Sequence, residues 1–233
     1  MELGELFLIA RIDKGFYAIF QGGASKIRTM IITIASFKGG VGKTTTALHL
    51  AQFLGKRRGS GKIVLLDGDP NRSALSWYER GQQKAAFSVM DGDEEPANFD
   101  HLIIDTPART DPAELLPLAD ASDLLIIPSE ISIFSLEATI ATISTLQTLP
   151  EDKYRILLTM LPTRGLKREI NARVALKEAG LLMFNTGIKD RTVYQDSALE
   201  GLPVSELRRD AAAAAWNDYQ QLGKEIWKNW GTK

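Results

Sequence analysis

Residues 38–45 read Lys38-Gly39-Gly40-Val41-Gly42-Lys43-Thr44-Thr45. Glycines at this density let backbone N–H groups close around phosphate oxygens. The apolar run Met30-Ile31-Ile32-Thr33-Ile34-Ala35 precedes them, and a helical pattern over 46–54 follows. Strand, glycine-rich loop, helix is the context a phosphate-binding loop needs. The helix turns its free N-terminal donors and positive dipole end toward the same anion. In that setting Lys43 neutralises charge on β- and γ-phosphates, and Thr44 places its hydroxyl on Mg2+. The alternative is a glycine turn with incidental lysines, and the agreement of the whole motif with its strand–helix context speaks against it.

The ordinary pattern, G-x-x-x-x-G-K-S/T, wants a glycine at position 37. This chain has Phe37 there, followed by a second lysine, Lys38. The box K-G-G-x-x-K-S/T resembles that of the ParA/MinD family of deviant Walker A ATPases, closest to its short ParA-type partition members. The resemblance implies an α/β P-loop NTPase, a mainly parallel twisted sheet with helices on both faces, that forms a nucleotide-sandwich dimer. It implies ATP and Mg2+ as cofactors, with slow intrinsic hydrolysis that a partner stimulates. Lys38 would reach across the dimer to the partner's phosphates, so that ATP binding and dimerisation become one event. Gly39, Gly40, Val41, Gly42, Lys43, Thr44 and Thr45 would cradle the phosphates.

Further elements fit the same site. Asp67-Gly68-Asp69-Pro70-Asn71 follows a predicted strand and resembles the family's D-x-D-P-Q/N element. Two carboxylates at a strand end can hold metal-bound water and the attacking water. By resemblance Asp69 positions that water, joining Lys38 and Lys43 as catalytic residues, and Asp67 supports the magnesium shell. Leu102-Ile103-Ile104-Asp105-Thr106-Pro107 resembles the Walker B strand and its switch loop, which makes Thr44, Asp67 and Asp105 the expected metal group. Arg109, on that loop, reads equally as a dimer contact or as surface. Adenine is expected against Met160 and Pro162 and, from a late loop, Pro203; both loops also read as plain packing. A basic group, Arg164, Lys167, Arg168, Lys189 and Arg191, together with Arg173 and Lys177, is the candidate contact to DNA phosphates. Its alternative is a solvated helix face of mixed charge.

The elements that must position these residues are legible in outline. Residues 63–67 are an apolar run of the kind buried in parallel sheets, and 101–105, 124–128 and 155–160 read as further strands. Residues 87–90 and 181–184 read as shorter strands. Helical patterns cover 73–86, interrupted by Gly81, and 135–149, 167–179 and 210–228. Alternating βα units imply a mainly parallel sheet, with ligands beyond the carboxyl ends of its strands. The loop at 38–45, Asp67 and Asp105 all fall there.

Composition narrows the class. At 233 residues and a net charge of −1, the chain suits one α/β domain and carries no global signature of nucleic-acid binding. It has no cysteine, so cysteine-held iron–sulfur or arsenite chemistry is excluded. No apolar run is long enough to span a membrane. Residues 1–29 look unlike the rest and read as an N-terminal extension, either a start-site over-call or a short arm; the ATPase domain is 30–233. The resemblance implies a cytoplasmic, nucleoid-associated protein that forms an ATP-dependent homodimer, binds DNA without sequence preference and answers to a ParB-like or other small adaptor. Plasmid or chromosome partition is the leading cargo reading. The alternatives are positioning of a protein organelle such as the carboxysome, or MinD-like membrane association. The last would use the stripe Trp216, Tyr219, Gly223, Ile226, Trp227 and Trp230, which reads first as a packed helix face.

Overall fold

The computed structural model describes residues 29–108, 110–132, 150–165 and 167–231. Its strands are β1 (Met30–Ile34), β2 (Ile63–Asp67), β3 (Ser88–Asp91), β4 (His101–Asp105), β5 (Leu124–Glu130) and β6 (Tyr154–Thr159). They form one sheet in the order β3-β2-β4-β1-β5-β6, with every pairing parallel. The helices among the described residues are α1 (Lys43–Lys56), α2 (Ser73–Arg80), α3 (Pro112–Asp120), α4 (Lys167–Glu178), α5 (Val193–Glu200) and α6 (Ala212–Trp230).

The strands at the centre of the sheet are largely apolar because both of its faces are covered. Met30, Ile32, Ile34, Leu65, Ile103 and Ile126 pack with residues of α1 and α6. Ile31, Val64, Leu66, Leu102 and Ile104 pack with residues of α3 and α4. The period of two in the strands thus builds two cores from one sequence run.

This topology makes the site. The chain leaves β1 toward β2 on one side of the sheet, and leaves β4 toward β5 on the other. β1 and β4 are neighbours, with Ile34 in register with Asp105. Two adjacent strands whose connections part in opposite directions leave a crevice at their carboxyl ends, which is where open α/β sheets take their ligands.

Several elements differ from the sequence expectation. The run 181–184 is not a strand: Met183 makes only an isolated bridge to Ile156, and Lys189 another to Leu161. The ladder breaks between them because the Asn185 and Thr186 amides donate to the Glu225 carboxylate, at 2.8 and 3.0 Å. The helix expected over 73–86 stops at Arg80. Gly81 lies so close to Gly201 that an added Cβ would sit 1.9 Å from the Gly201 carbonyl oxygen, and Gln82 and Gln83 then turn with positive φ of 55° and 57°. Helices α3 and α5 were not anticipated. The helix expected over 135–149, the arm before residue 29 and Arg109 lie outside the described residues.

The Trp-rich stripe of α6 is packing, to its last turn. Tyr219, Leu222, Ile226 and Trp230 are buried against the α1 side of the sheet. The Trp230 indole N–H donates to the Asp152 carbonyl at 2.6 Å, and the Arg57 guanidinium lies 4.1 Å above the Trp227 ring. No helix among the described residues is long and apolar enough to cross a membrane.

Candidate nucleotide-binding site

The loop after β1 has the conformation its glycines suggest. Gly40 and Gly42 take positive φ, 78° and 85°, and an added Cβ at Gly39, Gly40 or Gly42 would meet nothing within 4 Å. Backbone with open space in front of it can come close to a ligand. Helix α1 starts at Lys43 with no side-chain cap on its amides. Its first-turn N–H groups therefore remain available to an anion. The loop is fixed from behind. Thr159, at the end of β6, donates its hydroxyl to the Val41 carbonyl at 2.9 Å, and Ser36 donates to the Lys38 carbonyl at 3.0 Å.

In front of the loop is a cavity of about 280 Å³ whose walls include Lys38, Lys43, Thr44, Asp69, Ala108 and Met160. The Lys43 side chain is buried within it. Lys38 is half exposed and ion-paired with Glu130 at the end of β5, which also accepts a hydrogen bond from Ser132. The switch loop is pinned to the end of β1 and the residues just after it: Thr106 donates to the Ile34 carbonyl at 3.0 Å, and the Thr110 amide donates to the Ser36 carbonyl, also at 3.0 Å.

The three aspartates have distinct situations. Both Asp67 oxygens are engaged, one by the Asp69 amide at 3.2 Å and one by the Leu75 amide at 2.9 Å. Burial raises the Asp67 pKa, and those amides oppose the rise. One oxygen of Asp69 accepts from the Asn71 amide and side chain, each at 2.9 Å, while the residue faces the cavity. Asp105 is fully buried, and neither oxygen has a partner within ordinary hydrogen-bond geometry. Burial pushes its carboxyl up to about 7, although Lys43 and the nearby Thr44 both draw it down. An orphaned buried carboxylate is costly unless something occupies it.

That orphan fits a divalent cation. Among the described residues no group of three His, Cys, Asp or Glu forms a cage. Magnesium seldom uses one; it binds one or two carboxylates and fills its octahedron with phosphate oxygens and water. The Thr44 hydroxyl and the Asp105 carboxylate would hold it, and Asp67, its oxygens already committed, would orient the Asp69 backbone rather than bind directly.

A second cavity, of about 260 Å³, meets the first at Gly42, Thr45 and Met160. Its walls include Ile188, Arg191, Tyr194, Gln195 and Tyr219. Met160 lies at the junction in a left-handed conformation with φ 52°. Pro162 is half-buried and Pro203 is buried before the 3-10 turn Val204–Glu206; neither is on this wall. Tyr194, Gln195 and Tyr219 were not anticipated, since they come from α5 and α6 and nothing local in their sequence marks them.

The basic group divides. Arg164, Lys167 and Arg168 are exposed at the start of α4. Lys189 pairs with Glu169 at 2.6 Å, and Arg191 with Asp218 at 3.4 Å, beside the second cavity. Arg173 is likewise tied to Glu169, at 3.0 Å.

Comparison with known proteins agrees with this architecture. The profile of the CobQ/CobB/MinD/ParA nucleotide binding domain matches residues 32–204. The chain is 30% identical over 216 residues to maintenance of carboxysome distribution protein A of Gloeobacter kilaueensis, covering 89% of this chain and 99% of that one. Its likeness to the Halothiobacillus neapolitanus protein of the same name is 25%, covering 85% and 97%. Among solved structures, an ATP complex of Cyanothece McdA superposes with TM-score 0.61 at 20% identity, covering 87% of this chain and 97% of that one. A plasmid partition protein of Borrelia burgdorferi bound to AMPPNP also gives 0.61, at 19% identity, covering 86% and 99%. Those structural likenesses establish the fold, and the domain match across most of the sequence establishes the family: the chain belongs to the CobQ/CobB/MinD/ParA nucleotide-binding proteins and has the ParA/MinD P-loop NTPase fold.

Proposed function

We propose that this chain is a Mg-dependent ParA-type ATPase that dimerises on ATP, binds DNA without sequence preference and positions a cargo. One observation carries the reading: Lys38, Lys43, Thr44 and Asp69 line one cavity, and Lys43 and Thr44 of the deviant loop act on the buried Asp105 carboxyl. Loop amides and the α1 N-terminus bind the phosphates, and Lys43 neutralises them. When bound, Mg2+ supplies further charge neutralisation at the β- and γ-phosphates. Asp69 faces the cavity and orients the attacking water. Lys38 leaves Glu130 and crosses to the partner's nucleotide. A small adaptor stimulates the slow intrinsic hydrolysis.

The cargo reading shifts with the comparisons. Both carboxysome-distribution relatives match over nearly their full length. The chromosome-partitioning ATPase Soj of Thermus thermophilus matches over only 81 residues. This supports a protein assembly as cargo ahead of a plasmid. Packing of Trp227 and Trp230 speaks against their use as a MinD-like membrane anchor.

The test is binding to non-specific duplex DNA with ATP, ADP or no nucleotide, with anionic liposomes in parallel and with Lys38→Ala alongside the natural sequence. Salt-sensitive DNA binding that requires ATP, lost in Lys38→Ala while its ATP binding persists, is the expected result. Liposome binding without DNA binding, or ATP-dependent dimers in Lys38→Ala, would overturn it.

A further inference from the structure

His49 is buried in the second turn of α1, behind the second cavity, and both of its ring nitrogens are occupied. Nδ1 lies 2.7 Å from the Thr45 carbonyl, and Nε2 lies 3.2 Å from the Val204 amide nitrogen. A carbonyl can only accept and an amide N–H can only donate, so Nδ1 carries the proton and Nε2 accepts. The ring stacks on Tyr219 with centroids 4.8 Å apart and meets Tyr194 edge-on at 5.7 Å. Thr45, Tyr194 and Tyr219 are three walls of the cavity. Val204 opens the turn that follows α5, whose residues Tyr194, Gln195 and Ala198 face the same space. Burial pushes the imidazole down to about 4, so it remains neutral, and both bonds persist, at neutral pH.

We propose that His49 is a positioning residue for the nucleoside half of the site: its fixed tautomer ties the first turn of α1, which holds phosphate, to the α5 segment, which faces the base. The proposal rests on the nucleotide reading above. A strut that served stability alone would be satisfied by any well-packed ring, whereas this one spends a donor and an acceptor on two different elements. The two bonds can be separated. In His49→Asn the amide reaches the Nδ1 position and can keep Thr45 but not Val204. In His49→Gln the amide oxygen reaches the Nε2 position and can keep Val204. Val204→Pro removes the same bond from the other side, with His49 intact. Pro203 has φ −62° and ψ 149°, a conformation that suits a residue before proline.

The experiment is competition binding of ATP and of inorganic tripolyphosphate, each with Mg2+, to the natural sequence and these three variants, with thermal melts to certify folding. ATP affinity is expected to fall about five- to tenfold in His49→Asn and in Val204→Pro, the worth of one hydrogen bond. Tripolyphosphate affinity should stay within about twofold in both, and His49→Gln should retain ATP affinity within about threefold. Equal losses for both ligands, or undiminished ATP affinity in His49→Asn and Val204→Pro, would overturn the positioning role and leave the nucleotide reading intact. Natural protein that bound neither ligand would overturn both. If His49→Asn does not fold, Val204→Pro carries the decision alone.

Discussion

Asp105 is where residue-scale chemistry is most exposed to measurement. Its carboxyl sits at about 7 in the folded chain against 3.8 as the ordinary value. The fold therefore favours the protonated form. Below pH about 4 both states hold the proton and the residue costs nothing. Through the window from about 4 to 7 the unfolded state ionises first, and stability falls as pH rises. Without ligand, Asp105→Asn should be more stable than the natural protein at about pH 8, by roughly 2–4 kcal/mol, and nearly equal to it at about pH 4. On the proposed reading, the same variant should lose the Mg2+-dependent part of ATP affinity, because a magnesium ion there would need the ionised oxygen. Melting curves at both pH values, with and without Mg-ATP, check this; a variant less stable at high pH would show that Asp105 has a structural partner. Asp105 is legible in the sequence as a candidate-site residue because it ends an apolar strand beside the phosphate loop. Its lack of partners is not, since the carboxylates that neighbour it, Asp67 and Asp69, satisfy themselves with their own backbone.

At the scale of elements, the sheet and α1 follow from the sequence because each is encoded locally. An apolar run makes a buried strand, and glycines followed by a 3.6-residue pattern make a loop and a helix. Helix α3 carried a signal that went unread: Asp111 caps it by accepting from the Ala113 amide at 2.8 Å, and Pro112 opens it. An N-cap aspartate before proline is a helix start. Helix α5 has no such cap, and the second cavity joins segments from 42 to 219, so neither is readable from any one window. Gly223 shows the limit of propensity. In the middle of a helix, glycine costs about 1 kcal/mol relative to alanine. Here a Cβ would lie 2.2 Å from the Phe53 ring, where α6 crosses α1. Overpacking costs about 1–3 kcal/mol, enough to outweigh the propensity gain. Gly223→Ala should therefore destabilise by up to about 2 kcal/mol in denaturant unfolding. Adding Phe53→Leu should restore part of that loss, giving a non-additive pair. Additive behaviour would place the cost elsewhere.

Over the whole molecule, the question is how a chain with a net charge of −1 could hold DNA. Global charge does not supply such an attraction, so on the proposed reading it comes from a local patch that a dimer doubles. The candidate basic residues divide into two groups. Arg164, Lys167 and Arg168 stand exposed at one corner of α4, and none makes an ion pair among the described residues. Lys189 and Arg191 are committed to Glu169 and Asp218 beside the second cavity. The two groups should then fail differently. Each DNA phosphate that a cation neutralises steepens the fall of log affinity with log salt by about one. Replacing Arg164, Lys167 and Arg168 together by alanine should flatten that slope by about two to five for a dimer, with ATP affinity unchanged. Arg191→Ala should do the reverse, leaving the slope per bound dimer alone while weakening ATP, because Asp218 loses its ion-pair partner at the cavity wall and keeps only the Lys189 amide. DNA titrations at several salt concentrations, with saturating ATP, separate the two. A flattened slope in Arg191→Ala at full nucleotide occupancy would move the DNA surface to the cavity side of the molecule and away from the α4 corner.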